Sequence, residues 1–132
     1  MLRKFLMSKI HRATVTHCDV DYVGSITIDA DLLRVTGIRP SECVLVADCD
    51  NGNRFETYVF EGESGTGVIG VNGAAALLTA VGHKLIICAF AQLQSHEIDA
   101  HQPRIAIVDD QNRITQTLRY NRQISEQAGA RD

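Results

Sequence analysis

Hydrophobic and β-branched residues recur along the chain in short runs, and Gly, Asn or Asp separates each run from the next. This pattern is typical of strands bounded by turns. It predicts eight strands, over Leu2–His17, Ser25–Ile28, Cys43–Cys49, Arg54–Glu61, Val68–Val71, Lys84–Gln92, Arg104–Val108 and Ile114–Leu118. Because Lys84–Gln92 is apolar at both alternating sets of positions, we expect that strand to be buried on both faces.

Two short helices fit between these strands. One is Asp31–Thr36, which follows Asp29, and the other is Ala74–Val81, which follows Asn72. Asp and Asn are residue types that cap the first turn of a helix. Many short strands with two brief helices indicate a mainly β protein, a small closed or nearly closed β-barrel, rather than a sheet of βαβ units.

Two polar stretches predict tight turns. Asp50–Asn53 contains Asn-Gly between two predicted strands, which is a strong hairpin signal because both turn positions favour a positive φ. Asp109–Asn112 predicts a second turn.

The chain length of 132 residues fits one domain with its own core. We expect a single β-barrel domain over residues 1–118 and a polar, flexible tail over residues 119–132. The chain carries 13 basic and 16 acidic residues, a formal charge of −3, whereas nucleic-acid-binding proteins normally carry a basic stripe. We therefore expect no nucleic-acid partner.

The segment Leu85–Ala91 is the longest apolar run, and it is far shorter than the roughly 20 residues that cross a bilayer. The first 12 residues contain scattered basic residues and lack the uninterrupted apolar region of a secretory signal. These features predict a cytoplasmic protein with no membrane partner.

Gly24-Ser25 lies between two predicted strands. A Gly-Ser step at such a place usually only makes a turn. A chemical interpretation is also open: if the turn holds the Ser25 hydroxyl against the Gly24 carbonyl carbon, the hydroxyl can attack its own backbone and convert the amide to an ester. In that case Gly24, which lacks a Cβ, would allow a strained backbone and a close approach of the hydroxyl to the carbonyl carbon. A hydrogen-bond donor would also have to stabilise the oxyanion that forms.

Lys9 and His11 project from the same side of the first strand as Ala13 and Val15, since side chains alternate along a strand. The simplest interpretation places both at a rim, with Lys9 extending to water. His11, His17, Asp19 and Asp21 offer a metal cluster as an alternative, but no second group with metal-ligand spacing follows them. We expect no metal site.

Arg54, Glu56 and Tyr58 share one face of a predicted strand, and Thr57 points to the other. A row of exposed charges is the default interpretation. A straight strand separates Arg54 from Tyr58 by roughly 13 Å at 3.3 Å per residue. Both side chains can serve one site only through a bulge or through contributions from two subunits.

The segment Asn72–Ala76, with the sequence Asn-Gly-Ala-Ala-Ala, has two interpretations. Asn72 caps the following helix and the alanines pack closely, or the free backbone N–H groups at the helix start bind an anion that small side chains leave accessible.

Taken together, four fragments resemble the pyruvoyl-dependent aspartate 1-decarboxylases. They are Lys9-Ile10-His11-Arg12, Tyr22-x-Gly24-Ser25, Asn51-Gly52-x-Arg54-x-x-Thr57-Tyr58 and Val71-Asn72-Gly73-Ala74-Ala75-Ala76. They stand in family order, and the resemblance covers the chain as far as about residue 118. Two positions depart from it: Leu77 stands where the family often has His, and Ala47 where some members have a large aromatic residue.

The resemblance implies a double-ψ β-barrel assembled as a homotetramer with active sites between subunits. It implies a proenzyme that cleaves itself at Gly24-Ser25 into a β-chain, residues 1–24, and an α-chain, residues 25–132. β-Elimination of the ester and hydrolysis of the resulting dehydroalanine would leave a pyruvoyl group derived from Ser25. This covalent pyruvoyl group is the expected cofactor, with no metal and no pyridoxal phosphate. The resemblance leaves open whether cleavage needs a maturation factor.

The implied reaction removes the α-carboxylate of L-aspartate to give β-alanine and CO2 for pantothenate and coenzyme A synthesis. The substrate amine would form a Schiff base with the pyruvoyl group made from Ser25, which acts as the electron sink. Tyr58 is the expected proton donor, and Thr57 is expected to assist cleavage. The expected substrate-binding residues are Lys9, His11, Arg54, Thr57, Asn72, Gly73, Ala74 and Ala75. The alternative function is a non-catalytic small-molecule-binding β-barrel with an inert Gly-Ser turn.

Overall fold

The structure, a computed structural model, describes residues 1–120. Within that range it contains nine strands, two α-helices and one 3₁₀ helix. The strands are β1 (Arg3–Thr14), β2 (His17–Asp19), β3 (Ser25–Asp29), β4 (Cys43–Asp48), β5 (Arg54–Gly62), β6 (Ile69–Asn72), β7 (Lys84–Leu93), β8 (Arg104–Val108) and β9 (Ile114–Arg119). The helices are α1 (Ala30–Thr36), α2 (Ser95–Ile98) and the 3₁₀ helix (Gly73–Leu78). The prediction of a mainly β, barrel-like fold with short helices is confirmed.

The strands pair in the order β2-β6-β3-β5-β4-β7-β1-β8-β9. Three of these pairs are parallel, namely β1 with β8, β2 with β6 and β3 with β5, and the others are antiparallel. Long-range pairing of this kind brings the start of β3, the end of β6 and the middle of β5 together, although they are far apart in sequence. Of the predicted tail, Arg119 ends β9, and residues 121–132 lie outside the described residues.

Strand β7 lies between β1 and β4 in this order. One of its faces is fully buried, at Leu85, Ile87 and Ala89. The opposite face, which carries Cys88, is only partly buried within one chain. The expectation that both faces of β7 are buried is therefore wrong for the face that carries Cys88, within a single chain.

The predicted strand Leu2–His17 is in fact two strands, because the chain leaves β1 after Thr14 and pairs with β6 only from His17. The pairing of β1 with β7 is irregular between Ile10 and Ala13, where Arg12 has a φ of 63°. An irregularity of this kind breaks the two-residue alternation, so hydrophobicity alone did not reveal the end of β1.

The first predicted helix is confirmed. The Asp29 side chain accepts a hydrogen bond from the Asp31 backbone N–H at 2.8 Å, and Gly37 ends the helix with a φ of 79°. The same carboxylate also accepts backbone N–H groups of Gly65 and Gly67, so it anchors a second loop.

The second predicted helix, Ala74–Val81, is wrong in type and length. The chain forms a 3₁₀ helix that ends at Leu78, and Asn72 makes no capping hydrogen bond. The Asn72 side chain instead contacts hydroxyl groups on β3, and side chains of the β4–β5 turn bind the Leu78 carbonyl. Both are long-range contacts that local pattern cannot reveal.

Both predicted turns are present. The stretch Asp50–Asn53 joins β4 to β5, but only Gly52 has a positive φ, of 78°. Asn112 adopts a φ of 62° in the second turn. Helix α2 escaped the pattern analysis, although Gln94 and Glu97 form a capping box there. None of the helices in residues 1–120 is long and apolar enough to cross a membrane.

Candidate active site

Ser25 opens β3 and is completely buried. Its hydroxyl donates a hydrogen bond to the Val23 carbonyl oxygen at 3.0 Å and accepts one from Asn72 Nδ2 at 3.0 Å. Two contacts therefore fix the Ser25 Oγ beside the peptide bond that joins it to Gly24. The chain is described in its encoded, uncleaved form.

Asn72 lies at the end of β6, directly opposite Ser25 in the antiparallel pairing of β3 with β6. Its amide also donates to Thr27 Oγ1 at 3.2 Å, so one buried side chain spans two hydroxyl groups of β3. The sequence analysis did not select Thr27. Its position two residues after Ser25, and hence on the same strand face, was the signal available.

The absence of a side chain matters at Gly73 rather than at Gly24. Gly24 does not have a positive φ, and a Cβ there would meet nothing within 4 Å, so neither its φ nor crowding requires glycine at this position. Gly73 has a φ of +75°, and a Cβ there would lie 2.6 Å from Gly24 Cα. The backbone of the 3₁₀ helix thus approaches Gly24 closely because residue 73 is glycine.

Strand β5 runs parallel to β3, with Thr27 opposite Phe60 and Ile26 opposite Val59. Tyr58 precedes Phe60 by two residues and therefore lies on the face that carries Thr27 and Ser25. The rings of Tyr58 and Phe60 pack edge to face at 5.6 Å. The Tyr58 side chain is partly exposed beside the buried Ser25.

Thr57 points to the other face of β5 from Tyr58, as the sequence analysis predicted. It pairs with the buried Val44 of β4. Extending the β3–β5 register by two residues brings Thr57 level with Gly24. Thr57 thus lies on the strand next to the Gly24-Ser25 bond.

A cavity of about 680 Å³ opens beside this group of residues. Its wall includes Tyr22, Thr27 and Asn72, together with His17, Cys18 and Asp19 from the β2 region. The backbone of Gly73 lies next to Asn72 in the sequence, with Ala74 exposed and Ala75 partly buried.

Lys9 and Arg54 form a separate group with Cys88. Lys9 pairs directly with Cys88 across β1 and β7. Burial raises the pKa of the Cys88 thiol, while the positive charges of Lys9 and Arg54 act in the opposite direction. The Lys9 Nζ also lies 5.3 Å from the centre of the Tyr120 ring. The sequence analysis selected neither Cys88 nor Tyr120, which reach Lys9 only through strand pairing.

His11 lies two residues after Lys9 on β1, and both side chains are partly exposed, whereas Ile10 between them is fully buried. The prediction that Lys9 and His11 share one side is confirmed. The prediction that Ala13 and Val15 lie on that side is wrong, because β1 is irregular between Ile10 and Ala13 and both residues are buried. His11 pairs with Ile107 on β8.

The structure does not bring Arg54 and Tyr58 together. The pairing of β4 with β5 runs without a break from Cys43 opposite Tyr58 to Ala47 opposite Arg54, so the bulge considered above is absent. The two Cα atoms are therefore separated by roughly 13 Å along the strand. Within one chain the expected residues form two groups, one around Ser25 and one around Arg54 and Lys9.

The four residues of the metal alternative do not form a cluster: among residues 1–120, no three of His11, His17, Asp19 and Asp21 bring ligand atoms together. Side chains of Asp48, Asp50 and His83 do approach within 4.8 Å of one another. The Asp48 carboxylate, however, already accepts hydrogen bonds from Thr79 and His83.

Comparison with known proteins identifies relatives over nearly the whole chain. The family model described as aspartate decarboxylase matches residues 1–115. A protein named aspartate 1-decarboxylase from Neisseria meningitidis serogroup C is 49% identical over 120 residues, 91% of this chain and 94% of the relative. Proteins of the same name from Caldicellulosiruptor bescii and Caldicellulosiruptor saccharolyticus are each 54% identical over 114 residues, 86% of this chain and 89% of the relative.

The chain belongs to the aspartate decarboxylase family. The two positions that depart from the family pattern have different surroundings in this aspartate decarboxylase family member. Leu77 is largely exposed on the 3₁₀ helix. Ala47 pairs with Arg54 on β5 and with Ile86 on β7, so this position adjoins Arg54 in the sheet.

Proposed function

We propose that this chain removes the α-carboxylate of L-aspartate to produce β-alanine and CO2 for pantothenate and coenzyme A synthesis. The observation that carries this proposal is identity of about half over almost the full length of proteins named aspartate 1-decarboxylase. The buried Ser25 hydroxyl, held at the Gly24-Ser25 bond, supports it independently.

We propose that the chain first cleaves itself. The Ser25 Oγ bonds to the Gly24 carbonyl carbon, the Gly24–Ser25 C–N bond breaks, and an ester replaces the amide. β-Elimination then removes the Ser25 Cα proton, breaks the Cβ–Oγ bond and releases the Gly24 carboxylate. Water adds to the imine form of the resulting dehydroalanine, and ammonia leaves, so that a ketone remains. Asn72 orients the hydroxyl through its 3.0 Å hydrogen bond, and Thr57, level with Gly24, is the candidate donor to the oxyanion.

A pyruvoyl group derived from Ser25 fits the residues present. Ser25 is fully buried beside a cavity of about 680 Å³ that Asn72 and Thr27 line. A group made in place from Ser25 would therefore form on a side chain that two hydrogen bonds hold, next to two residues that line the cavity. Once formed, the pyruvoyl ketone supplies, through the substrate amine, the electron sink that loss of CO2 requires.

The chain's own residues would bind the substrate and move the proton. The Arg54 guanidinium matches a carboxylate with its planar pair of donors. Lys9, with His11 on the same side of β1, would position the other carboxylate of the substrate or tune the electrostatics of the site. Tyr58, partly exposed on the Ser25 face, is the candidate donor of the proton that replaces CO2. The backbone of Gly73–Ala75 would line the substrate pocket together with Asn72.

We propose a homotetramer with shared active sites, because Arg54 and Ser25 belong to separate groups within one chain. Exposed apolar side chains support association, since large contiguous apolar patches commonly mark interfaces. They are Val20, Tyr22 and Val23 next to the cleavage bond and Leu77, Leu78 and Val81 near the end of the 3₁₀ helix. The proposal also includes a cytoplasmic location and a single domain over residues 1–118, both of which the sequence predicts.

Intact-mass spectrometry combined with a β-alanine assay tests the proposal. We expect the wild-type chain to convert to fragments of residues 1–24 and 25–132, the second beginning with a ketone that borohydride traps in the presence of aspartate. The Ser25→Ala variant should stay one chain and release no β-alanine. An unbroken, inactive wild-type chain that binds small molecules would instead favour the non-catalytic barrel. If cleavage occurs only after a cell extract is added, a maturation factor is required.

A further inference from the structure

Four hydrogen bonds converge on the carboxylate of Asp48 at the end of β4. Its Oδ2 accepts the Thr79 hydroxyl at 2.7 Å and His83 Nδ1 at 2.8 Å. Its Oδ1 accepts the backbone N–H groups of Asp50 at 2.7 Å and Asn51 at 3.2 Å. The Asp48 side chain has no exposed surface, so these partners replace its contacts with water.

The same β4–β5 turn also holds the last carbonyl of the 3₁₀ helix. The side-chain amides of Asn51 and Asn53 both donate to the Leu78 oxygen, at 3.0 and 2.9 Å. Together with the bond from Thr79 to Asp48, three side-chain hydrogen bonds attach the end of the helix to the turn.

This attachment matters because the helix has little stability of its own. It is a six-residue 3₁₀ helix, and Asn72 makes no side-chain capping bond at its start. Short 3₁₀ segments depend on tertiary contacts for their position. Its first three residues, Gly73–Ala75, form the backbone of the proposed substrate pocket, and Gly73 approaches Gly24. At the other side of the turn, Arg54 directly follows Asn53.

We propose that Asp48 and His83 are positioning residues: by fastening the β4–β5 turn to the end of the 3₁₀ helix, they fix the backbone of Gly73–Ala75 relative to Ser25. This inference rests on the proposed function for the identity of the pocket. Neither residue lines the cavity beside Ser25, so each would act through the helix and the turn.

The charges give the attachment a pH dependence. Burial raises the pKa of Asp48, but hydrogen bonds from His83, from Thr79 and from the turn backbone lower it below its usual 3.8. The hydrogen bond to Asp48 raises the pKa of His83 above 6.5, burial lowers it, and the charges of Asp48 and Asp50 raise it further. Lys84, the next residue, directs its Nζ to Asp110 and to Thr14.

The sign follows from linkage between protonation and structure. Because the pKa of His83 is raised, the stabilisation from its charged form is complete below pH 6.5 and is lost as the pH rises through the raised value. Because the pKa of Asp48 is lowered, its contribution is present above pH 3.8 and is lost as the pH falls through the lowered value. The attachment is strongest between these two limits.

Steady-state kinetics on the cleaved enzyme, with hydrogen exchange of the Gly73–Ala75 amides, tests the proposal. In the wild type we expect KM for aspartate to rise as the pH climbs above 6.5, with a smaller change in kcat. His83→Gln should abolish that pH dependence. Asp48→Asn should raise KM by about tenfold, the effect of losing one charge-assisted hydrogen bond, and speed amide exchange at Gly73–Ala75.

Two further variants keep the result interpretable. Asp110→Asn breaks the exposed pair between Lys84 and Asp110 next to His83, and should leave KM and exchange unchanged. Thr79→Val removes one hydrogen bond without stranding a buried charge, so it serves if Asp48→Asn does not fold.

The outcomes separate the two proposals. A wild-type protein that makes no β-alanine contradicts the proposed function, and hydrogen exchange then decides the positioning role alone. The positioning role is overturned if the wild type is active and three variants have the same KM, pH dependence and amide exchange as Asp110→Asn. These variants are Asp48→Asn, His83→Gln and Thr79→Val.

Discussion

At the scale of single residues, the site depends on how one amide orients one hydroxyl. Asn72 Nδ2 donates to both Ser25 and Thr27, and the three side chains project from the same face of the β3–β6 pair. A hydroxyl that can rotate freely reaches its own preceding carbonyl only part of the time. We therefore propose that the amide promotes self-cleavage by restricting Ser25 Oγ to one position.

We expect Asn72→Ala to slow self-cleavage by about fivefold, the effect of losing one neutral hydrogen bond of about 1 kcal/mol. Electrophoresis of samples taken over time after synthesis measures the rate. Thr27→Val is the matched control, because it removes the other acceptor of the same amide and leaves the contact with Ser25 in place. Equal cleavage rates for Asn72→Ala and the wild type would show that the amide does not orient the hydroxyl.

The sequence revealed Ser25 and Asn72 but not their contact. Fragment spacing selected both residues, and alternation correctly put Thr57 and Tyr58 on opposite faces. The sequence analysis assigned the need for a missing Cβ to Gly24, whereas the positive φ and the close backbone approach occur at Gly73. The reason is physical: a left-handed φ and a close approach of two backbones depend on how the 3₁₀ helix packs against residue 24, and neither is written in the local sequence.

At the scale of elements, the 3₁₀ helix and the cleavage loop pack backbone against backbone. A Cβ at residue 73 would stand 2.6 Å from Gly24 Cα, closer than two such atoms approach in proteins, and the φ of +75° is unfavourable for any other residue. Gly24 itself has free space around its Cα.

We expect Gly73→Ala to reduce the free energy of unfolding by at least about 2 kcal/mol, through left-handed strain and the clash with Gly24. Gly24→Ala should leave it unchanged within about 1 kcal/mol. Urea denaturation measures both changes, with each substitution made in a Ser25→Ala chain so that cleavage does not alter the reference. A Gly73→Ala chain as stable as its Gly24→Ala counterpart would contradict this packing.

Local pattern predicted most strands and helix α1 because their signals are local: alternation, Asp29 before the helix and Gly37 after it. It failed for β1, where an irregularity at Arg12 shifts the alternation, and for the 3₁₀ helix, whose end is set by Asn51 and Asn53 from another turn. Elements ended by distant partners carry no signal in their own sequence.

At the scale of the whole molecule, the division of the site follows from the strand order. Ser25 is on β3 and Lys9 on β1, and strands β5, β4 and β7 lie between them. With neighbouring strands about 4.8 Å apart, this separation is far greater than an aspartate molecule can span along the sheet. We therefore expect Lys9, and Arg54 in the same group, to bind substrate at the Ser25 of another chain.

Mixed oligomers test this division directly. The Ser25→Ala chain lacks the reactive group but keeps Arg54, whereas an Arg54→Gln chain cleaves normally but lacks the carboxylate ligand, so each alone should be nearly inactive. The two chains are co-expressed with different tags, and the oligomers that carry both tags are purified. An intact site then forms wherever the Ser25 of an Arg54→Gln chain meets the Arg54 of a Ser25→Ala chain. Random assembly gives roughly a quarter of the sites, because half of the chains supply each intact part. Doubly tagged oligomers with no more activity than the separate variants would mean that each site is built from one chain.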